Sequence, residues 1–512
     1  MRFGPCMASD RVARITARGR RWWKASAAGP AALTWLVGYL AVALSGVAFS
    51  TSYLGFGWQL TPWDVLSNDP LRSAWYLHVQ PPLWNLVLGV PAWLSPWSDA
   101  ITLQIVMLAV GLATVALAAR LAEILGAGRR AAWIIAVAAT LHPEVLKGAF
   151  EPNYELAVAA LLLAVLVALA HALAPGSTVN RARRIGWLAA VLTVLVMTRS
   201  LYHPLFAAVV LAVVLWRFRS NLVRRQMLLI VLLPVIVVGG WIVKNQIMFG
   251  TPNLSSWFGM NLQRAVIPVL DRDDLESMYE RGDVSDVAMV GPFGAYDLYA
   301  PYVEPCEPAH SFRSLSEPTR RTDATSPNFN YECYIPVFEQ AGRDAWAVIR
   351  EHPGAWWEGR MWSLRTTIAV ATLPSESDSV VMRVLDDVYS VARLDYRGVL
   401  STEGWGTPIY GSIAAPADFS VTLALAYVSI GLWGLALLAK WLRRRRLDDI
   451  DAVNLAGWFI IVFTVLVGAV AELGEQSRFR TVLDPIATVM IATAVIRLVS
   501  MRRQSQAPAP GE

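Results

Sequence analysis

The sequence predicts an all-α polytopic membrane protein of about ten crossing helices, one partial helix and a large polar insertion. Three observations lead there. Of 512 residues, 55% are hydrophobic and 16% charged, with a mean hydropathy of +0.44, far from the balance of a globular domain. The apolar runs are about 17–25 residues long, the length of a spanning helix and not of a barrel strand. The Lys/Arg clusters at 11–24, 129–130, 181–184, 217–225, 443–446 and 502–503 all fall on one side if ten runs cross, as cytoplasmic loops should.

Taken in order, residues 1–30 form a basic cytoplasmic N-terminus. The run 31–50 follows as an uncleaved anchor, since no small-residue cleavage pattern comes after it. Residues 83–97 are apolar but short and carry Pro91; they read as a partial or interfacial helix. Runs at 99–123, 131–147, 154–174, 185–199, 202–217 and 226–244 complete an N-terminal transmembrane module over 31–248. Residues 249–417 are the only long polar stretch, rich in Asp, Glu, Pro and aromatics. They are expected to fold as an extracytoplasmic domain or as helices lying over the spans. Cys306 and Cys333 fall inside this stretch, on the oxidising side, and are predicted to pair, whereas Cys6 is cytoplasmic. Runs at 418–440, 453–471 and 481–500 make the C-terminal helices, and 501–512 a polar cytoplasmic tail. The chain shows no internal repeat of the kind that marks many transporters. Its net charge of +5 and pI near 9.1 follow from the cytoplasmic loops and suggest no nucleic-acid partner.

In this topology the unusual polar residues gather at the outer ends of the spans. They are Asp64, Asp69, His78 and Gln80 in the first loop, then Glu144, Lys147, Glu151, Tyr154 and Glu155 between two later runs. Arg199, Tyr202 and His203 sit in a tight turn, Lys244 and Asn245 at a span's end, and Glu472, Glu475, Arg478, Arg480 and Asp484 near the C-terminus. Charges so close to a bilayer core need partners or a watery cavity, so several on one side point to a single site. An Asp in the first loop suits a general base, with helix capping as the alternative for both Asp64 and Asp69. Arginines at a headgroup-level site suit a phosphate, with snorkelling or pairing to Glu472 and Glu475 as the alternative. Glu151, Tyr154 and Glu155 suit sugar hydroxyls or a cation, or cap the helix that follows Pro152. The six histidines lack close metal spacing, which argues against zinc; a divalent metal held by carboxylates stays open.

An acidic first loop leading into His78–Val79–Gln80–Pro81–Pro82–Leu83 resembles membrane glycosyltransferases of the GT-C type, the protein mannosyltransferase-like and aminoarabinose transferase-like families. Three further stretches are similar: Glu151–Pro152–Asn153–Tyr154–Glu155, Lys244–Asn245 through Trp257 to Asn261, and Glu475–Gln476–Ser477–Arg478–Phe479–Arg480 with Asp484–Pro485. The likeness lies in layout over the first seven spans and the last. It departs from the family where Gln80 replaces the usual Lys before Pro-Pro-Leu and where Asp64 and Asp69 stand apart. The resemblance implies an enzyme of the plasma membrane with its site on the extracytoplasmic face. It would move a sugar from a polyprenyl-phosphate-linked donor to an envelope glycan, lipid or protein. Asp64 or Asp69 would be the base, and His78 and Gln80 would orient substrates. Trp257 and Asn261 would meet the sugar, and Arg478, Arg480, Arg199 and Lys244 the donor phosphate. The competing readings are a lipid-linked glycan flippase and a catalytically dead assembly protein of the same fold.

Overall fold

The structure, a computed structural model, describes residues 26–220, 222–320, 326–370, 379–400, 417–444, 447–473 and 476–505. Cys6 and Glu475 lie outside the described residues. Each of the ten apolar runs contains helix, although 31–50 is helical only as far as Leu44 and 131–147 is broken between Thr140 and Pro143. The first half comprises α1 (Ala28–Leu44), the short α2 (Pro70–Trp75) and α3 (Leu83–Leu94), then α4 (Asp99–Ile124), α5 (Arg129–Thr140), α6 (Pro143–Lys147) and α7 (Glu155–Leu173). After these come α8 (Thr178–Thr198), α9 (Pro204–Arg217) and α10 (Arg224–Phe249). Over the polar stretch lie α11 (Phe258–Val266), α12 (Tyr334–Glu351), α13 (Pro353–Thr367) and α14 (Val380–Arg393). The chain then returns through α15 (Val421–Arg444), α16 (Asp449–Ala471), the short α17 (Gln476–Thr481) and α18 (Asp484–Ser505).

Six helices, α4, α7, α10, α15, α16 and α18, are long and apolar enough to cross a bilayer, while α1, α3 and α9 are shorter apolar helices. The chain is a multi-pass membrane protein. At 12 residues, α3 reaches about 18 Å, well short of a hydrocarbon core of about 30 Å. Position in the bundle follows from sequence pattern. α7 is apolar on every face, and 67% of its span is buried at the centre, against α4, α8, α16 and α18. α10 is only 11% buried and lies at the edge, consistent with a helix whose neighbours are lipid. Pro234 removes one hydrogen-bond donor from α10, and the turn Val235–Gly239 is wound as a π-helix. Gly250, at φ +70°, ends α10 in the left-handed cap that glycine adopts without strain.

The 249–417 stretch is a helical layer with cores of its own. α11 and α12 cross in close contact at Gly259 and Gly342: a Cβ on Gly259 would meet the Phe338 carbonyl oxygen at 2.0 Å. Trp257, Met260, Phe329, Tyr334 and Phe338 form one of these cores, together with Leu77 and Val79 of the first loop. Cys306 and Cys333 are joined by a disulfide, Cα–Cα 5.7 Å. The layer is also bolted to the first loop by Arg320, whose buried guanidinium donates to the carbonyls of Gly57 at 2.7 Å and Leu60 at 2.5 Å.

The helical fold carries one small addition that the sequence did not announce. β1 (Ala369–Val370), β2 (Asp395–Leu400) and β3 (Ala417–Ser420) form a small antiparallel sheet in the order β1-β3-β2, with Ala369 opposite Phe419 and Tyr396 also opposite Phe419. Tyr, Val, Leu and Phe in these short runs favour extended chain. The runs are too short to show a period in the sequence, and their partners are not neighbours along it.

Candidate functional site

Two adjoining cavities open where the ends of the spans meet the helical layer. The larger, about 530 Å³, is walled by Gln80, the turn Arg199–His203, Trp257 and Asn261, Glu472 and Phe479, with Leu205, Phe463 and Val467 of α9 and α16 as its apolar side. The smaller, about 280 Å³, is walled by Glu144, Lys147, Glu151, Glu155 and Arg478. Consecutive residues face different cavities, Tyr154 and Phe479 one, Glu155 and Arg478 the other, so the Tyr154–Arg478 contact is the partition between them.

The partition is built from cations and rings. Arg199 ends α8, and its guanidinium lies over the rings of Tyr154 (4.7 Å) and Phe479 (4.6 Å). It is buried, yet its Nη1 has no hydrogen-bond partner. Burying a charged donor unsatisfied is costly, so this nitrogen is a natural seat for an anion. Arg478 lies over the same Tyr154 ring at 5.3 Å, bonds its hydroxyl at 3.2 Å and pairs with Glu155. The other carboxylate oxygen of Glu155 is buried without a partner. The turn that carries Arg199 is held by Ser200, which donates to Gln80 at 3.0 Å, and by His203, which caps α9. Gln80 is in turn fixed by its neighbours: Ser255 donates to the Val79 carbonyl at 2.6 Å. The Trp257 indole N–H, on the wall of the larger cavity, is buried and unpartnered. Across the same cavity Arg264 pairs with Glu472 at 3.1 Å.

Behind the smaller cavity lies a buried ionic network. Arg480, fully buried, bridges Glu144 at 2.5 Å and Asp484 at 3.2 Å; Thr481 donates to Glu144 at 3.1 Å. Arg393 of α14 adds a second cation to Glu144 at 3.6 Å and donates to Nε2 of His142. Among the described residues no group of three or more His, Cys, Asp or Glu side chains comes together to hold a metal ion.

The sequence-predicted residues therefore divide. Gln80, Tyr154, Arg199, Trp257 and Asn261 share one cavity; Glu151, Glu155 and Arg478 share the next. Arg480 lies beneath them, engaged by carboxylates rather than open to a phosphate, because a fully buried guanidinium is stable only when paired. Lys244 lines neither cavity. Its ammonium donates to the carbonyls of Trp75 (2.8 Å) and Leu77 (3.0 Å) and sits 3.8 Å from the Trp241 ring, so it clamps the first loop. His78 is likewise structural. Its Nε2 donates to the Asn330 carbonyl at 3.1 Å, which leaves Nδ1 to accept from Ser256 at 2.7 Å. Burial pushes it down to about 3, the Asn330 bond opposing and Lys244 assisting. Asp69 caps α2, accepting from the Arg72 backbone N–H at 3.2 Å. Asp64 pairs with Arg313 of the helical layer, while its Oδ1 is buried without a partner; it lines neither cavity.

The sequence reading missed His142, Arg264 and Arg393. Arg264 was legible as the one charge in the apolar stretch Phe258–Val266. Arg393 carried no signal, because its partners are some 250 positions away.

Among solved structures, the chain is similar to the archaeal oligosaccharyltransferase AglB from Archaeoglobus fulgidus, in complex with an inhibitory peptide and a dolichol-phosphate. The identity is 13% over 96% of this chain and 53% of that one, with a TM-score of 0.39. It is also similar to ArnT from Cupriavidus metallidurans bound to undecaprenyl phosphate, at 14% identity over 93% of this chain and 81% of that one, TM-score 0.34. The chain spans about half the length of the archaeal protein, 53%. No family model matches the sequence, and no curated protein matches it significantly.

Proposed function

We propose that this protein is an integral membrane glycosyltransferase that moves a sugar from a polyprenyl-phosphate-linked donor to an acceptor outside the cytoplasm. One observation carries the reading: the 530 Å³ cavity places an unsatisfied buried cation, Arg199, opposite an apolar wall of Leu205, Phe463 and Val467. Such a cavity suits an amphiphile whose charged head and isoprenoid chain part at that boundary. Arg199, with Arg478 across Tyr154, would hold the phosphate and neutralise the charge it gains as the sugar leaves. Trp257 offers an indole N–H and Asn261 an amide for the sugar. The reaction is a single displacement, in which the acceptor oxygen bonds the anomeric carbon as the phosphate departs and a carboxylate takes the acceptor's proton, so the anomeric configuration inverts.

For the base, geometry favours Asp64 over Asp69, since Asp69 is occupied as a cap and Asp64 keeps an unpartnered oxygen. Glu472 is the rival, as the carboxylate on the wall of the larger cavity. The test is transfer in liposomes from a panel of radiolabelled polyprenyl-phosphate sugars to envelope glycan acceptors. Removing the base, by Asp64→Asn or Glu472→Gln, should lower transfer by about 10²–10⁴-fold with donor binding intact. Donor binding or translocation with no transfer, indifferent to both substitutions, would make the protein a flippase instead.

A further inference from the structure

A separate cavity of about 620 Å³ plays no part in the proposed reaction. It lies between α7, α9, α15 and α16, toward the far end of α9 from Arg199. Its walls are apolar, with Val209, Val213 and Phe459 among them, and its mouth carries Trp216, Trp441, Arg217 and Arg219. Val213 is 50% and Trp216 48% exposed, so the cavity opens sideways between helices. The mouth is strongly basic. Arg219 lies over the Trp216 ring at 5.5 Å and Arg181 over Phe218 at 4.8 Å, while Arg217 shares its charge with Asp449 at 3.4 Å.

We infer that this cavity binds one anionic phospholipid, with an acyl chain between the helices and the phosphate against Arg219 and Arg217. Three arguments select that occupant. The mouth belongs to the end of the bundle that gathers the Lys/Arg clusters, the end the positive-inside rule assigns to the cytoplasm. The leaflet there is the one that carries anionic lipid, and basic pockets between spanning helices bind such headgroups. Tryptophan beside arginine at a cavity mouth is the pairing of the headgroup level. The donor cannot fill the same role. The 14 residues of α9 separate Arg199 from Arg217 by about 20 Å, so one phosphate cannot serve both ends. The two cavities are also divided by packed rings, Phe206 stacked on Phe459 at 5.6 Å and tilted against Phe463 at 4.9 Å.

The experiment is native mass spectrometry with lipid extraction on the full chain, purified in mild detergent and then offered defined mixtures of phosphatidylglycerol and phosphatidylcholine. Wild type should retain one phosphatidylglycerol. Arg219→Ala should weaken retention about fivefold and Arg219→Glu more, given roughly one unit of surface attraction per arginine; Arg219→Lys should keep the lipid. Val213→Trp should expel it by filling the cavity while leaving every charge in place. Equal retention of phosphatidylcholine, retention unaffected by Arg219→Glu, or retention of polyprenyl phosphate in its place would each overturn the inference. None of these readouts depends on sugar transfer, so the lipid site and the proposed reaction stand or fall separately.

Discussion

At the scale of single residues, the structure turns a collection of polar side chains into distinct duties. Arg199 is a buried cation with an unmet bond at a cavity wall. Arg199→Ala should therefore reduce transfer by about 10²-fold, and Arg199→Lys should restore little, because an ammonium lacks the planar fork that grips phosphate. Radiolabelled transfer assays read both. Buried His78 makes a separate, pH-dependent prediction. It is neutral in the fold, pushed down to about 3 by burial, whereas an unfolded histidine titrates near 6.5. Between those limits the unfolded chain binds more protons, so stability is full above about pH 6.5 and falls as pH drops toward 3. The slope is about 1.4 kcal/mol per pH unit for this histidine. Melting temperatures in detergent across that range should show the fall, and His78→Gln should remove roughly one proton from the slope.

At the scale of elements, the helical layer depends on two local devices. The α11–α12 crossing has no room for a side chain at Gly259, where a Cβ would lie 2.0 Å from the Phe338 oxygen. Gly259→Val should thus separate the helices at a cost of about 3 kcal/mol, seen as a lower melting temperature. The Cys306–Cys333 bond closes a loop with a sequence separation of 27. Its removal by Cys306→Ser with Cys333→Ser should cost about 3 kcal/mol, and proteolysis should then cut between 306 and 333 first. Both devices act on the walls of the larger cavity, because Trp257 and Asn261 flank Gly259 and pack through this layer.

At the scale of the whole molecule, the two cavities of the site lie at the ends of α9 and α18 opposite those that carry Arg217 and Arg502. Exposed Glu280 of the helical layer and exposed Val179 at the start of α8 should therefore lie on opposite sides of the membrane. In a Cys6→Ser background, Glu280→Cys should react with an impermeant maleimide on intact cells. Val179→Cys should react only after the membrane is opened; the reverse pattern would invert the topology and remove the extracytoplasmic site. The two halves of the chain meet in the site itself: Glu155 of α7 pairs with Arg478 of α17, 323 positions later. A cut anywhere in the helical layer leaves those partners on different pieces.

Much of this molecule was legible in the sequence. Hydrophobic runs fix where helices form because the backbone must satisfy its own hydrogen bonds in lipid, and all ten runs contain helix. Charges cluster at helix ends because bilayer cores exclude them, so Tyr154, Glu155, Arg199 and Arg478 could be singled out one by one. What the sequence could not supply was pairing. Arg199 and Arg480 read alike as helix-end arginines, Lys244 read as a phosphate ligand and His78 as catalytic, because chain position says nothing of which distant carbonyl or carboxylate a side chain will meet. The tertiary structure decides that. Packing α7 at the centre brings Tyr154 between Arg199 and Arg478, buries Arg480 against Glu144 and Asp484, and spends Lys244 and His78 on backbone carbonyls. The sequence by itself determined the class, the helices and the residues worth watching; only the packing of segments far apart in the chain decided which of them face a cavity.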